Sequence, residues 1–148
     1  SVGLDAWPRW RTRMARSLVA IARRLPAPLV AGEAYAALVR GFADREQGRH
    51  ALDVFLRPFA QRPGRGALLA HLEAQTPDET SVMPLGTLRL PTAIMHGARD
   101  PFVPVSLAHR LASAIPGASL DVIADASHFT PLDAPDRVAA VLGELLAR

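Results

Sequence analysis

The pattern of hydrophobic and polar positions changes character near residue 86. Before that point, apolar residues recur at helical spacing in four short stretches that prolines separate. The predicted helices are "WRTRMARSLVAIARRL", which Pro26 stops, "GEAYAALVRGFA", a segment from about Gln47 to Phe59 that Pro58 bends or ends, and "GRGALLAHLEAQ". The expected apolar face of the first helix consists of Met14, Leu18, Ile21 and Leu25. No strand pattern appears in residues 6 to about 85, so we expect an irregular helical layer there.

After residue 86, short apolar runs alternate with amphipathic helices. The run "LPTAIMHG" is typical of a strand that is buried on both faces, and "SLDVIA" predicts a second strand. Between them, "VPVSLAHRLASAIPG" has leucine or isoleucine at every fourth position, which predicts a helix. The apolar stripe of the closing helix, "DAPDRVAAVLGELLAR", consists of Val138, Val141, Leu142, Leu145 and Leu146.

The order strand–helix–strand–helix predicts an α/β fold with two parallel strands and a right-handed crossover. We therefore divide the chain into a helical region, residues 1–86, and a βαβα region, residues 87–148. Two parallel strands cannot form a stable sheet alone, because both would be edges with unpaired backbone groups. The first residues, "SVGLDAW", look like the exit from an earlier strand. The interpretation is that the chain is the C-terminal part of a larger α/β domain.

Two polar residues follow the two predicted strands. Asp100 comes just after the first strand, and His128 comes just after the second, in "ADASHFTPLD". Because the carboxyl ends of parallel strands lie at one edge of a sheet, we expect the two side chains within hydrogen-bonding distance. A carboxylate that orients an imidazole is two thirds of a nucleophile–base–acid system. Taken singly, Asp100 before Pro101 also fits a turn residue or helix cap, and His128 a half-buried loop residue.

Residues 88–147 resemble the C-terminal part of the α/β-hydrolase superfamily. The resemblance rests on a strand, Gly-x-x-Asp, Val-Pro, a helix, Ile-Pro-Gly-Ala, a second strand, and a His-Phe loop followed by Asp-x-Pro. It implies that Asp100 is the catalytic acid and His128 the catalytic base. It also implies that residues 6–85 correspond to the cap or lid of such enzymes. The nucleophile elbow of the family, Gly-x-Ser-x-Gly, is absent, and "GASLD" is the nearest string.

Other candidate residues carry weaker signals. Phe102 and Phe129 flank the two catalytic candidates and are expected to line the site. Trp7 is a further candidate for substrate contact, although aromatic residues of the helical region are more often core. Asp5 is an alternative acid, because some relatives carry their acid after the preceding strand. His96 fits a packed structural role, and no set of histidines has metal-ligand spacing, so neither a metal site nor a cofactor is expected.

The amino-acid composition limits which compartment and which binding partners are expected for the chain. The apolar fraction is 49%, enough for a core, and the chain has no cysteine, so we expect a cytoplasmic protein without disulfides. The formal charge is +3, and all 17 basic residues are arginines. These arginines are scattered on helical faces among 14 acidic residues, which argues against nucleic-acid binding. No apolar run has the length that a membrane span needs.

These observations favour one part of a cofactor-independent hydrolase that acts on a small, fairly apolar substrate. An ester, an epoxide, a haloalkane or an activated carbon–carbon bond all fit. The alternative is a non-catalytic binding or regulatory protein built on the same fold, and a basic interaction module is a weaker third. Because no nucleophile motif is present, we expect the isolated chain to be inactive. It should pair with the missing N-terminal segment or with a second copy of itself.

Overall fold

A computed structural model of the chain describes residues 17–74 and 84–147. Residues 17–74, called the helical layer below, begin with helical residues 17–22. The helices that follow are α1 (Ala27–Leu38), α2 (Arg45–Leu56) and α3 (Arg62–Ala74), with 3₁₀ turns at Val39–Gly41 and Arg57–Ala60. No strand occurs in the helical layer as far as it is described, as the sequence predicted.

The helix boundaries follow from proline and from one side-chain cap. Helix α1 begins five residues earlier than predicted, because Pro28 occupies the first turn, where a missing N–H costs nothing. Helix α2 begins at Arg45 because Asp44 caps it: its Oδ1 accepts from the N–H groups of Glu46 (2.7 Å) and Gln47 (3.3 Å). Helix α2 ends at Leu56, and Pro58 lies in the 3₁₀ turn that follows, so the predicted break at this proline is confirmed.

The apolar face predicted for the first helix is wrong in the described part. Leu18 and Ile21 are each 55% exposed, whereas Val19 is only 3% exposed. Val19 packs with Val30 of α1 and Leu69 of α3, so these neighbours approach a different face of the helix. The helical conformation also ends at residue 22, before Leu25. Met14 lies outside the described residues.

The second part has the predicted α/β arrangement. It contains a 3₁₀ turn (Leu85–Thr87), β1 (Ala93–Gly97), α4 (Val105–Ala114), β2 (Ser119–Ile123), α5 (Thr130–Asp133) and α6 (Pro135–Leu146). The two strands pair in parallel, with Ala93 opposite Ser119 and Gly97 opposite Ile123. The 3₁₀ turn and the four-residue helix α5 were not predicted. Arg137 of α6 donates from Nε to Asp121 Oδ2 of β2 at 2.6 Å, which ties the closing helix to the sheet.

The strands are less buried than predicted. Gly97 is the only fully buried residue of β1, and β2 exposes Ser119 and Val122. Each strand has one strand neighbour among the described residues, so one edge of each strand is uncovered there. The stripe of α6 is likewise only partly covered: Val141 is buried, but Leu146 is 86% exposed. The prediction of a strand buried on both faces is therefore wrong for these residues.

A shared cluster joins the helical layer to the α/β part. Its buried members are Phe42, Leu52 and Leu56, and Phe129 and Leu132 pack against them from the segment after β2. The division of the chain at residue 86 stays a prediction. None of the helices in residues 17–74 and 84–147 has the length and hydropathy to span a membrane.

Gly97 allows the end of β1 to touch the loop after β2. A Cβ at this position would overlap the carbonyl oxygen of Ser127 and lie 2.6 Å from the carbonyl carbon of Ala126. These are backbone atoms, which cannot rotate away as a side chain can. Only glycine therefore permits this approach.

We expect Gly97→Ala to lower the free energy of unfolding by about 1–3 kcal/mol, the usual cost of overpacking. The matched control is Gly143→Ala in α6, where a Cβ meets no atom within 4 Å. This control should raise the free energy of unfolding by about 0.5–1 kcal/mol, because alanine is the better helix former. Urea unfolding followed by circular dichroism measures both variants, and an unchanged or raised stability of Gly97→Ala would contradict the close approach.

Candidate active site

Two loops meet at the carboxyl end of the sheet. The acid loop, residues 98–104, follows β1, and the histidine loop, residues 124–129, follows β2. The N–H of Ala98 donates to Ile123 O (2.9 Å), and the N–H of Arg99 donates to Ala126 O (3.0 Å). The buried hydroxyl of Ser127 donates to Arg99 O at 3.2 Å. These bonds hold the two loops side by side, at the edge where open α/β sheets bind ligands.

Asp100 uses its two carboxylate oxygens for different purposes. Oδ1 accepts from the N–H groups of Phe102 (2.7 Å) and Val103 (3.0 Å), which closes the turn of the acid loop. Oδ2 lies 2.9 Å from Nδ1 of His128. From the sequence, Asp100 fitted either a turn residue or a partner of His128. In the structure its carboxylate makes both kinds of contact. The backbone bonds fix the plane of the carboxylate, so Oδ2 faces His128 in a defined direction.

The predicted approach of Asp100 and His128 is confirmed by this 2.9 Å contact. An ionised carboxylate only accepts hydrogen bonds, so the proton of the neutral ring lies on Nδ1 and leaves Nε2 as a free base. The Asp100 side chain is 5% exposed, whereas the His128 side chain is 35% exposed. The acid is therefore shielded from solvent, and the base remains within reach of another group. The catalytic roles of both residues stay predictions at this point.

The pKa of Asp100 is lowered from its ordinary value, as the result of opposing effects. Burial alone would raise this pKa, because it disfavours the charged carboxylate. The hydrogen bonds from His128, Val103 N–H and Phe102 N–H lower the pKa, and together with the attraction of His128 they outweigh burial. The carboxylate is consequently ionised at neutral pH and can stabilise a positive charge on the ring.

Two phenylalanines contact the His128 ring. The Phe102 and Phe129 rings meet it edge to face, with ring centroids at 5.0 Å and 5.2 Å. Both residues thus lie beside the histidine as predicted, but their contact with a substrate stays a prediction. Phe129 also stacks on Phe42 of the helical layer, with centroids 4.3 Å apart. Phe129 therefore packs between the histidine and the core of the helical layer.

Gly41 is a site residue that the sequence reading missed. A Cβ on Gly41 would lie 2.7 Å from Cε2 of Phe102 and 3.1 Å from Cβ of His128. Its carbonyl oxygen accepts from Phe129 N–H at 3.2 Å. The helical layer therefore touches the histidine loop directly at this glycine. A glycine closing a helical stretch in "VRGFA" is a common helix-end signal, so the sequence does not distinguish this contact.

The remaining candidates fall into three groups. Nε2 of His96 lies 3.2 Å from Val103 O, which supports the acid loop and agrees with a packed structural role. Asp5 and Trp7 lie outside the described residues, so the alternative acid and the third aromatic candidate are untested. In the part of the chain that the structure describes, no group of three or more His, Cys, Asp or Glu side chains is arranged to hold a metal ion.

The fold is similar to that of several solved α/β-hydrolases. A malate-bound thermophilic esterase from Thermogutta terrifontis is 25% identical with a TM-score of 0.68, over 95% of this chain and 51% of that one. The 2-hydroxy-6-oxo-6-phenylhexa-2,4-dienoate hydrolase from Rhodococcus sp. strain RHA1 is 19% identical with a TM-score of 0.66, over 77% of this chain and 43% of that one. The enol-lactonase from Burkholderia xenovorans LB400 is 20% identical with a TM-score of 0.63, over 88% of this chain and 48% of that one.

The chain therefore has the fold of the C-terminal portion of an α/β-hydrolase. It spans about half the length of the solved structures that it matches, at 51%, 43% and 48%. No protein-family model matches the chain, and neither does any curated protein.

We expect His128→Ala to raise the pKa of Asp100, because the carboxylate loses a hydrogen bond to its charged form while it stays buried. Carbon-13 NMR of the Asp100 carboxyl measures this pKa, with His109→Ala on the exposed face of α4 as the control. The folded pKa lies below the unfolded value of about 3.9. The contribution of Asp100 to stability is thus complete above that value and is lost as the pH falls through the folded pKa. An unchanged pKa in His128→Ala would contradict the contact.

Proposed function

We propose that this chain, which has the fold of the C-terminal portion of an α/β-hydrolase, supplies the acid and the base of a cofactor-independent hydrolase. The observation that carries the proposal is the 2.9 Å contact between Asp100 Oδ2 and His128 Nδ1. This pair lies where two parallel strands end, which is the edge at which open α/β sheets bind ligands. The mechanism is of the nucleophile–histidine–aspartate type.

His128 acts first as the base and then as the acid in this mechanism. Its Nε2 takes the proton of a nucleophilic hydroxyl or of a water while the new bond to the substrate forms. The ring is then an imidazolium, and the ionised Asp100 beside Nδ1 stabilises its charge. Nε2 returns the proton to the leaving group when the scissile bond breaks. The lowered pKa of Asp100 supports this role, because the carboxylate stays ionised throughout.

The nucleophile is proposed to lie on a segment outside these 148 residues. The sequence contains no Gly-x-Ser-x-Gly elbow, and its nearest string, "GASLD", places Ser119 at the start of β2. His128 follows the opposite end of that strand. Four residue steps of about 3.3 Å, or about 13 Å, separate the two ends. Ser119 is thus on the wrong edge of the sheet to be activated by His128.

The uncovered edge of the sheet is the proposed docking place for the nucleophile-bearing segment. In the described part of the chain each strand has one partner, and the residue leading into β1, Leu90, is 73% exposed. A strand added beside β1 would satisfy its free backbone groups and cover this apolar surface. The matched esterase is about twice as long as this chain, which leaves room for such a segment. A second copy of the chain is the competing partner for this edge.

The proposed substrate is small and fairly apolar. The rings of Phe102 and Phe129 both contact His128 edge to face, and the helical layer, which we assign as the cap, contacts the histidine loop at Gly41. Esters, epoxides, haloalkanes and activated carbon–carbon bonds all fit this description. Two of the similar structures are an esterase and an enol-lactonase, so esters are the substrates to test first.

The decisive experiment adds a nucleophile-bearing upstream segment to the 148-residue chain and measures hydrolysis of a small nitrophenyl ester. We expect no turnover by the chain alone, and turnover once the segment is present. His128→Gln should then reduce the rate by roughly 10²–10⁴-fold, the usual contribution of a general base. His109→Gln, on an exposed position of α4, should leave the rate unchanged.

Size-exclusion chromatography with light scattering measures, in the same samples, whether the chain is bound to a second copy of itself or to the added segment. The chain alone should associate with itself, and the added segment should replace that association. Robust turnover by the monomeric 148-residue chain would overturn the proposal. Binding of the segment without any turnover would favour a non-catalytic binding or regulatory protein instead.

A further inference from the structure

The carboxylate of Asp133 accepts hydrogen bonds from two distant parts of the chain. Its Oδ2 accepts from Ser127 N–H at 2.8 Å, and its Oδ1 accepts from Ala43 N–H at 3.0 Å. Ser127 immediately precedes His128, whereas Ala43 belongs to the helical layer and lies 90 positions away from Asp133. Asp133 therefore does more than cap a local turn, because one of its oxygens also binds a backbone group 90 positions away.

Ser127 is held at each of its other polar atoms as well. Its carbonyl oxygen accepts from the Thr130 hydroxyl at 2.9 Å, and its own hydroxyl donates to Arg99 O at 3.2 Å. The residue is 2% exposed, so these bonds are shielded from water. Asp133 supplies the partner of its N–H, which completes the set. The backbone that leads into His128 is therefore held in place at Ser127, the residue directly before it.

The contact of Asp133 with the helical layer is one of several at the same place. Gln47 of α2 donates from Nε2 to Leu132 O at 3.0 Å, next to Asp133 in α5. Phe42, which precedes Ala43, stacks on Phe129, which follows His128. The helical layer and the segment after β2 thus meet through the stacking of Phe42 on Phe129 and through the hydrogen bond from Ala43 N–H to the Asp133 carboxylate.

We propose that Asp133 is a positioning residue for His128 and that it transmits the position of the helical layer to the base. The inference rests on the proposed function, because the orientation of His128 matters for chemistry only if this residue is the base. Two backbone N–H groups need two acceptor oxygens at this point, and a carboxylate provides both. An asparagine in its place has one oxygen and one NH₂ group, so one of the two N–H donors faces another donor.

The test compares Asp133→Asn with Asp136→Asn in the 148-residue chain by NMR. The control makes the same chemical change three residues later, on an exposed position of α6. In Asp133→Asn we expect the amide proton of Ser127 or Ala43 to exchange with solvent roughly tenfold faster or more, because a charge-assisted hydrogen bond is lost. The pKa of Asp100 should also rise toward its value in His128→Ala, because the ring moves off the carboxylate. Neither change should occur in Asp136→Asn.

The pKa of Asp100 distinguishes a role of Asp133 in positioning His128 from a role in stability alone. Faster exchange of either amide together with an unchanged pKa of Asp100 would overturn the inference. If Asp133→Asn does not fold, the unsubstituted chain still tests the geometry, since the amides of Ala43 and Ser127 must both exchange slowly. Rapid exchange of either one would overturn the inference. None of these readouts requires turnover, so a failure of the proposed activity is distinguishable from a failure of this inference.

Discussion

The hydrogen bond between Asp100 and His128 is the contact on which the proposed chemistry of this chain depends, and the contacts around it restrain both residues. The Asp100 side chain is 5% exposed, and two backbone N–H groups bind its other oxygen, so the direction of the carboxylate is fixed by contacts other than that with the histidine. Burial of a carboxylate is unfavourable unless hydrogen bonds compensate it. Here they more than compensate, because the pKa of Asp100 falls. A buried acid that stays ionised is what a histidine base needs to bear a positive charge.

Backbone contacts, more than side chains, bring the acid and the base together. The acid loop and the histidine loop touch at Gly97 because no Cβ keeps them apart, and Ser127 bridges them through its hydroxyl. The helical layer reaches the same point at Gly41, where a Cβ would overlap Phe102. This layer therefore supports the base in addition to any role as a cover over it. A cap that moved freely would have to break the stacking of Phe42 on Phe129 and the bond from Ala43 to Asp133.

The sequence predicted the parts of this arrangement that follow from local pattern. The apolar runs predicted both strands, and Asp100 and His128 were found in the loops that directly follow those strands. It did not predict contacts that depend on how elements approach each other. Val19 replaced Leu18 on the buried face because α1 and α3 approach from its side. Asp133 resembled an ordinary helix-start residue, since a bond to a group 90 positions away leaves no periodic signal.

The tautomer of the His128 ring tests the central claim most directly. A long-range proton–nitrogen NMR spectrum of the 148-residue chain at mildly alkaline pH distinguishes a proton on Nδ1 from one on Nε2. The structure predicts the proton on Nδ1, facing Asp100, with Nε2 as the bare base. In Asp100→Asn the fixed acceptor is lost, and the ring should shift toward the Nε2-protonated form. A wild-type ring that carries its proton on Nε2, or that matches the variant, would contradict the assignment of Asp100 as the acid that prepares His128.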